Sequence, residues 1–227
     1  MKKYKKKISK VELLNAATHG AGILFGALFI PLLINKMIYT RGTPVFTGII
    51  IYGVCFIVTF TLSTLYHISI KKRLKAVFKD LDHVSIYFFI AGTYTPIVFI
   101  FCYTVKGLIL LSIVWAFVPL GILCQLLFKK WPAEKQVILY LFQGLVFIFF
   151  FQSFFLFMSA VVVKLLLLGV LLYMLGIFFF VCRKWKYQHS VWHLCVLAGS
   201  ICHYTAIYKS IGVDIGDLIF SQFFQFA

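Results

Sequence analysis

The sequence predicts an all-α membrane protein, a bundle of seven transmembrane helices. Of the 227 residues, 63% are hydrophobic and only 12% are charged, and the mean hydropathy is +1.01. Such a composition lies far outside the range of soluble globular proteins. The apolar residues fall in runs of about 20, the length that a helix needs to cross the hydrocarbon core. Transmembrane β-strands are about half as long and alternate between apolar and polar positions, a pattern that these runs lack.

Short polar or basic connections separate seven apolar stretches, each long enough to cross a bilayer as one helix. A tight turn around Met158 and Ser159 is expected between the fifth and the sixth. Because the first stretch is long enough to span, we expect it to be retained rather than removed as a secretion signal. The predicted helices are residues 15–37, 44–69, 82–104, 107–128, 136–157, 160–182 and 189–209.

The distribution of charge predicts the orientation of the chain. The net charge of +16 comes from short basic clusters between apolar runs, not from the continuous patch that would bind nucleic acid. With the amino terminus in the cytoplasm, seventeen of the 22 Lys and Arg residues fall on the inner side, where membrane proteins concentrate positive charge. We therefore expect a multi-pass protein of the cell membrane, with the lipid bilayer as its main partner. Its segments are a basic cytoplasmic tail (1–14), a seven-helix transmembrane domain (15–210) and a short extracytoplasmic tail (211–227).

Histidines inside the apolar stretches stand out because ionisable side chains are rare in membrane helices and mark functional positions. His67 ends the second predicted helix, while His189 and His193 lie one turn apart at the start of the seventh. That spacing points both rings to the same face. Asp82 opens the third predicted helix. Since the second helix runs inward and the third and seventh run outward, all four groups reach the same depth near the cytoplasmic face.

Three neutral imidazoles at one depth suit a zinc ion whose fourth position stays open, as it does in catalytic zinc sites. Asp82 would orient or deprotonate a water there, and Ser63, one turn before His67, would hydrogen-bond a ligand, that water or a substrate oxygen. Each histidine has a simpler alternative role, a hydrogen bond to a backbone carbonyl or to a neighbouring helix. Asp82 also has one, as a cap at the positive end of its helix.

Four segments resemble the signature segments of the bacterial haemolysin III proteins, the prokaryotic branch of the progestin and adiponectin receptor family. They are "NAATHGAG", "STLYHIS", "FKDLDHVSIYFFIAGTYTPIV" and "HSVWHLCVLAGSICHY". The resemblance covers nearly the whole chain and implies a seven-helix bundle with a cytoplasmic amino terminus and an intramembrane zinc near the cytoplasmic face. By this resemblance His67, His189 and His193 would bind the zinc, and Asp82 would hold the zinc-bound water. Ser63 is the serine of the family's SxxxH motif.

Three further polar residues, Asn15, His19 and His203, also match positions in the family's motifs. Their expected role is polar bonding between helices. Eukaryotic relatives carry large amino-terminal domains, whereas a short basic stretch precedes the first helix here. The resemblance therefore does not support receptor activity for adiponectin or steroids.

The resemblance extends to the site of the alkaline ceramidases, which implies a zinc-dependent hydrolase of lipid amides or esters. In that hypothesis zinc lowers the pKa of water to about 7 and polarises the carbonyl. Asp82 acts as the general base, Ser63 assists the developing oxyanion, and the substrate's acyl chain stays in lipid. Two alternatives stay open: a pore-forming cytolysin, as the family name asserts, and a non-enzymatic membrane sensor or homeostasis factor whose structural zinc ties helices together.

Overall fold

The computed structural model describes residues 8–38, 42–128, 133–150, 155, 157–182 and 184–211. Of the expected tails, residues 1–7 and 212–227 lie outside these ranges, whereas residues 10–14 are part of the first helix, which begins five residues before its predicted start. The orientation of the chain in a membrane stays a prediction. Within them the chain forms seven α-helices and one short 3-10 segment. The elements are α1 (Lys10–Ile38), α2 (Thr43–Ile68), α3 (Lys72–Phe101), α4 (Val105–Leu127), α5 (Ala133–Leu145), the 3-10 segment (Val146–Phe150), α6 (Ala160–Val181) and α7 (Gln188–Ser210).

Six of these helices, all except α5, are long and apolar enough to cross a membrane. This agrees with a helical membrane bundle, but the fifth predicted span, 136–157, differs from the structure. There α5 ends at Leu145, and the chain continues as a 3-10 segment to Phe150. Aromatic and β-branched residues dominate "VFIFF", and such side chains favour an α-helix less than Leu or Ala does. The described residues therefore give six candidate spans and one shorter apolar helix.

Helix α3 begins at Lys72, ten residues before the predicted start at 82. Asp82 consequently lies inside a continuous helix, and its interpretation as a helix cap is wrong. The prediction failed because hydropathy marks only the part of a helix that lies in hydrocarbon. The preceding turns of the same helix are basic, and residues 72–74 are exposed.

The packing order of the helices decides which side chains meet. Helix α7 packs on α6 and α1, α1 packs on α2, and α2 packs on α3, which in turn contacts α4 and α5. Glycines bring some of these helices close, because a side chain there would clash: a Cβ at Gly22 would lie 2.1 Å from the ring of Phe60, and one at Gly169 would lie 2.3 Å from His203. Small residues play this part at many membrane helix contacts.

This arrangement gathers several chain segments at one end of the bundle. The start of α1, the end of α2 and the start of α7 meet there, together with the part of α3 that holds Asp82. A cavity extends from this end into the bundle, with walls formed mainly by α3, α5, α6 and α7. We call this end of the bundle the histidine end.

Candidate metal centre

Three imidazoles converge at the histidine end. One ring nitrogen from each of His67, His189 and His193 lies within 4.8 Å of the others. The Nε2 atoms of His189 and His193, one turn apart on α7, are 3.0 Å from each other. The ring centroid of His67, from the end of α2, lies 5.2 Å from that of His189 and 4.9 Å from that of His193. The structure thus brings together the three residues that the sequence proposes as metal ligands.

The ring of His67 is held from behind by an acid. Its Nδ1 lies 2.6 Å from the Oε2 atom of Glu12 on α1. A carboxylate accepts hydrogen bonds, so Nδ1 carries the proton and donates it. The other nitrogen, Nε2, is buried and has no hydrogen-bond partner within the described part of the chain. Its lone pair is therefore available to a cation.

The ring of His193 is held by the backbone of α1. Its Nδ1 lies 3.2 Å from the carbonyl oxygen of Asn15 and 3.2 Å from Oγ1 of Thr18. Thr18 itself donates to the Asn15 carbonyl, so both oxygens act as acceptors and Nδ1 is the donor. The Nε2 atom of His193 therefore presents a lone pair, to which His189 donates from its own Nε2. Binding of a cation would displace that proton.

Glu12 is the residue that sequence reasoning missed. Its carboxylate bridges His67 on α2 and Lys75 on α3, whose Nζ donates to Oε1 at 2.8 Å. One signal was present: Glu12, Asn15 and His19 follow each other at intervals of three and four residues. They form a polar stripe on one face of an otherwise apolar helix. The stripe indicates a polar partner for this face but does not identify it.

Asp82 and Ser63 line the cavity, but Asp82 is not among the ligand groups that lie within 4.8 Å of one another in the triad. Ser63 is almost fully buried. Both residues line the cavity together with His189 and His193. A carboxylate, a hydroxyl and two of the three imidazoles thus line the same cavity, and we call these four residues its polar region.

The cavity beyond this polar region is mainly apolar. Its volume is about 170 Å³, and it ends near His203, where a smaller second cavity adjoins it. Helix α6 packs extensively only on α7 within the described ranges, so α5 and α6 face each other across the cavity. The residues of α5 and α6 that line it are Gln136, Val137, Tyr140, Leu141, Gly144 and Leu145, and Val170, Tyr173, Met174, Ile177 and Phe180.

The three polar residues with less defined roles have different surroundings. Asn15 bonds α7 through its side chain, which accepts from Ser190, and through its carbonyl. The ring of His19 packs edge-on against His193 with centroids 3.9 Å apart. His203 bonds the carbonyl of Leu166 on α6 at 3.1 Å. Asn15 and His203 therefore make the expected bonds between helices, whereas His19 supports the triad by packing.

The donor set fits a zinc ion. Ligating histidines in proteins almost always donate their other ring N–H to a carboxylate or a backbone carbonyl, which fixes the tautomer and the ring orientation. His67 and His193 do so through Glu12 and Asn15. Three imidazoles also match the protein ligands of known catalytic zinc sites, which leave one position open. These side chains would hold the ion through Nε2 of His67 and His193 and a ring nitrogen of His189.

Comparison with known proteins gives the same family that the four sequence segments resemble. The model of the family described as "Haemolysin-III related" matches residues 8–204. "Hemolysin-3" of Bacillus cereus is 33% identical over 194 residues, which cover 84% of this chain and 87% of the relative. "Hemolysin-3 homolog" of Bacillus subtilis (strain 168) is 34% identical over 194 residues, covering 84% and 90%. The matched region includes the whole triad and Glu12.

Proposed function

The chain belongs to the haemolysin III family of multi-pass membrane proteins, and we propose that it is a zinc-dependent hydrolase of lipid amides or esters. One observation carries the proposal: two of the three converging imidazoles, His189 and His193, line the same largely apolar cavity as Asp82 and Ser63. A purely structural metal site needs no carboxylate facing an internal cavity. An amphipathic substrate needs both the polar region and the apolar one.

The reaction divides between the ion and the side chains around it. Zinc, when bound, would supply Lewis acidity that polarises a carbonyl and makes water a nucleophile near neutral pH. Asp82 accepts the proton of the attacking water and passes it to the departing amine or alcohol. Ser63 would donate a hydrogen bond to the developing oxyanion. Glu12 and the carbonyl of Asn15 hold the rings of His67 and His193 throughout.

The cavity supports a substrate with an acyl chain. Its walls beyond the polar region are mainly apolar side chains of α3, α5, α6 and α7, which suit a hydrocarbon chain. Within the described ranges α5 and α6 make few contacts with each other, and an acyl chain would enter from the bilayer between them. With a cytoplasmic amino terminus, as the basic residues favour, the scissile bond would lie near the inner leaflet's headgroups.

The test is release of fatty acid by the purified, zinc-loaded protein from a panel of N-acyl and O-acyl lipids. We expect Asp82→Asn to keep its zinc and to lose most of the activity, on the order of 100-fold or more. Asp80→Asn is the matched control, because Asp80 lies on the same helix but bonds Gln125 instead of lining the cavity. Full zinc occupancy with no release from any lipid would contradict the proposal, and so would an active Asp82→Asn variant.

The names of both relatives support a second candidate function, haemolysis. Red cells exposed to the purified protein would release haemoglobin if the chain acts in this way. Lysis that persists in His67→Ala and His189→Ala would favour a cytolysin over a metal-dependent hydrolase. Lysis that disappears in both variants would instead favour damage by products of the hydrolase reaction.

The anchoring of the triad supports a third candidate, a non-enzymatic homeostasis factor. The site joins α1, α2, α3 and α7 through Glu12, Asn15 and Lys75, so a bound ion would tie these helices together. Wild-type thermal stability that falls sharply on chelation, combined with no turnover of any lipid, would favour this role.

A further inference from the structure

One stripe of side chains on α3 lines the cavity and continues beyond it. His83, Ile86 and Ile90 line the cavity and follow each other at intervals of three and four residues, so they lie on one face of the helix. Lys79 lies one turn before His83 on the same face, because α3 is continuous from Lys72 to Phe101. Lys79 is exposed, so the stripe passes from a cation at the surface into an apolar cavity.

The charge of Lys79 is not balanced by a partner. The two ion pairs within the described residues both involve Glu12, which pairs with His67 and Lys75. Lys75 lies one turn before Lys79, and its charge is therefore already neutralised by Glu12. Lys79 makes neither an ion pair nor a hydrogen bond within the part of the chain that the structure describes. It is thus the free cation nearest to the cavity on this stripe.

The chain around Lys79 is strongly basic. Residues 71–82 hold five cations and two acids. One of the acids, Asp80, accepts a hydrogen bond from Gln125 on α4 at 2.7 Å, and consecutive residues of a helix do not face each other. A negatively charged ligand at Lys79 would therefore meet a net positive potential.

His83 supplies a second polar group where the stripe enters the cavity. Of its two ring nitrogens, Nδ1 is sealed from open space and has no partner among the described residues. A ligand in the cavity can therefore reach only Nε2, at the tip of the ring, and a neutral imidazole protonated there donates one hydrogen bond. The backbone at this position is held in place, because Tyr140 on α5 donates to the carbonyl of His83 at 2.8 Å.

We propose that Lys79 and His83 form a headgroup subsite, which binds a phosphate group carried by the acyl lipid. A phosphate has several oxygens, so it can accept from the Lys79 ammonium and from Nε2 of His83 at once, and bonds between ionised groups are strong. Lys79 and Asp82 are three residues apart, about 4.5 Å along the helix axis. The phosphate of the favoured substrate therefore lies a few bonds from its ester or amide. This inference rests on the proposed function in requiring that an acyl chain enters the cavity.

The test compares the binding of two ether lipids to the zinc-loaded, purified full chain in a neutral detergent. One is glycerol with a single ether-linked oleyl chain, and the other is its phosphate monoester, so only the phosphate differs. We expect the phosphate to tighten binding about tenfold at low salt, the effect of one charge-assisted contact, and this gain should shrink as salt screens the exposed lysine. Displacement of a fluorescent fatty acid measures both affinities.

Inorganic phosphate is the third ligand, because a free ion offers the same oxygens as a lipid headgroup. It lacks the chain that occupies the cavity, so it should displace the phosphate ether only at a far higher concentration. Ethers cannot be hydrolysed, so the binding result does not depend on whether the chain is an enzyme.

Three variants assign the phosphate preference to particular residues. Lys79→Gln should bind the neutral ether normally and lose most of the preference. His83→Phe keeps the shape of the ring without its nitrogens and should lose part of it. Arg73→Gln is the matched control, because Arg73 is an exposed cation of the same helix that lies off the stripe. The ratio of the two affinities is the readout, since a purely structural change would affect both ethers alike. Zinc content is measured in each variant, because a phosphate can also bind the ion.

Each outcome decides the proposal. Equal binding of the two ethers by the wild type would overturn the subsite and leave the acyl-chain pocket intact. Failure of both ethers to bind would overturn the pocket and the subsite with it. A preference that persists in both Lys79→Gln and His83→Phe, or that falls as far in Arg73→Gln, would overturn the assignment to these two residues. Inorganic phosphate that binds as tightly as the phosphate ether would overturn the acyl lipid as the ligand.

Discussion

The two ends of the cavity use histidine in opposite ways. At the histidine end, His67 and His193 have Nδ1 bonded from behind, and Nε2 faces the other rings. At the deep end, His203 has Nε2 bonded from behind, and Nδ1 is buried without a partner within the described ranges. Several convergent lone pairs make a cation site, whereas a single buried one does not.

The largest expected difference between the ends is in metal content. His193→Ala should lower zinc in the purified protein from about one ion per chain to near zero, because it removes a central ligand of the triad. His203→Gln should leave the zinc content unchanged, since His203 lies far from the triad. Elemental analysis of the two variants beside the wild type measures this. Equal loss of zinc in both would show that the two ends are not chemically distinct.

Chelation should have the next largest effect, on thermal stability. A ligand present at a thousandfold its Kd stabilises the folded state by about 4 kcal/mol, and the triad joins α2 to α7. The midpoint of thermal unfolding in detergent should therefore fall when zinc is removed from the wild type. In His67→Ala it should not change on chelation. A wild-type midpoint that does not respond to chelation would contradict a bound ion that links the helices.

Glu12→Gln should weaken zinc binding about tenfold, the lower range for losing an outer partner of a metal ligand. The amide oxygen still accepts from His67 Nδ1, but the negative charge that makes the ring a better donor to the cation is lost. Lys75→Gln is the comparison, because it leaves the contact between Glu12 and His67 in place and should cost less. Competition against a chromophoric zinc chelator measures both. A larger loss of zinc affinity for Lys75→Gln than for Glu12→Gln would mean that the charge on α3, not the charge on α1, controls zinc binding.

Thr18→Val should have the smallest effect, about fivefold in zinc affinity. The change removes one of two acceptors of the His193 N–H while keeping the shape of the side chain and the Asn15 carbonyl. One hydrogen bond contributes about 1 kcal/mol. The same competition assay measures it, and Thr47→Val is the control, since Thr47 bonds only its own helix in the described structure. A loss of zinc affinity as large as that of His193→Ala would mean that Thr18 does more than accept one hydrogen bond from His193.

The triad was predictable because it depends on two regular features. The spacing of His189 and His193 follows from helix periodicity, and their depth relative to His67 follows from the alternation of helix direction. Neither feature depends on which helices are neighbours. This is why a sequence without structural information proposes the same three residues that the structure gathers.

The remaining parts of the site depend on contacts that periodicity does not define. Glu12 lies 55 positions from His67 in the chain, and only the packing of α1 against α2 brings them together. The start of α3 was misplaced because hydropathy does not detect a helix that continues beyond hydrocarbon. In His203, Nε2 bonds the carbonyl of Leu166 on α6 and Nδ1 is left without a partner among the described residues. No spacing in the sequence indicates that Leu166 is the partner.

X-ray absorption at the zinc edge of the purified protein tests the central claim most directly. The account predicts one zinc per chain with nitrogen and oxygen neighbours at about 2.0 to 2.1 Å and the scattering pattern of several imidazoles. His193→Ala should lose that pattern. A site with sulfur neighbours at about 2.3 Å, or a wild-type protein that retains no zinc after exposure to the ion, would contradict the account.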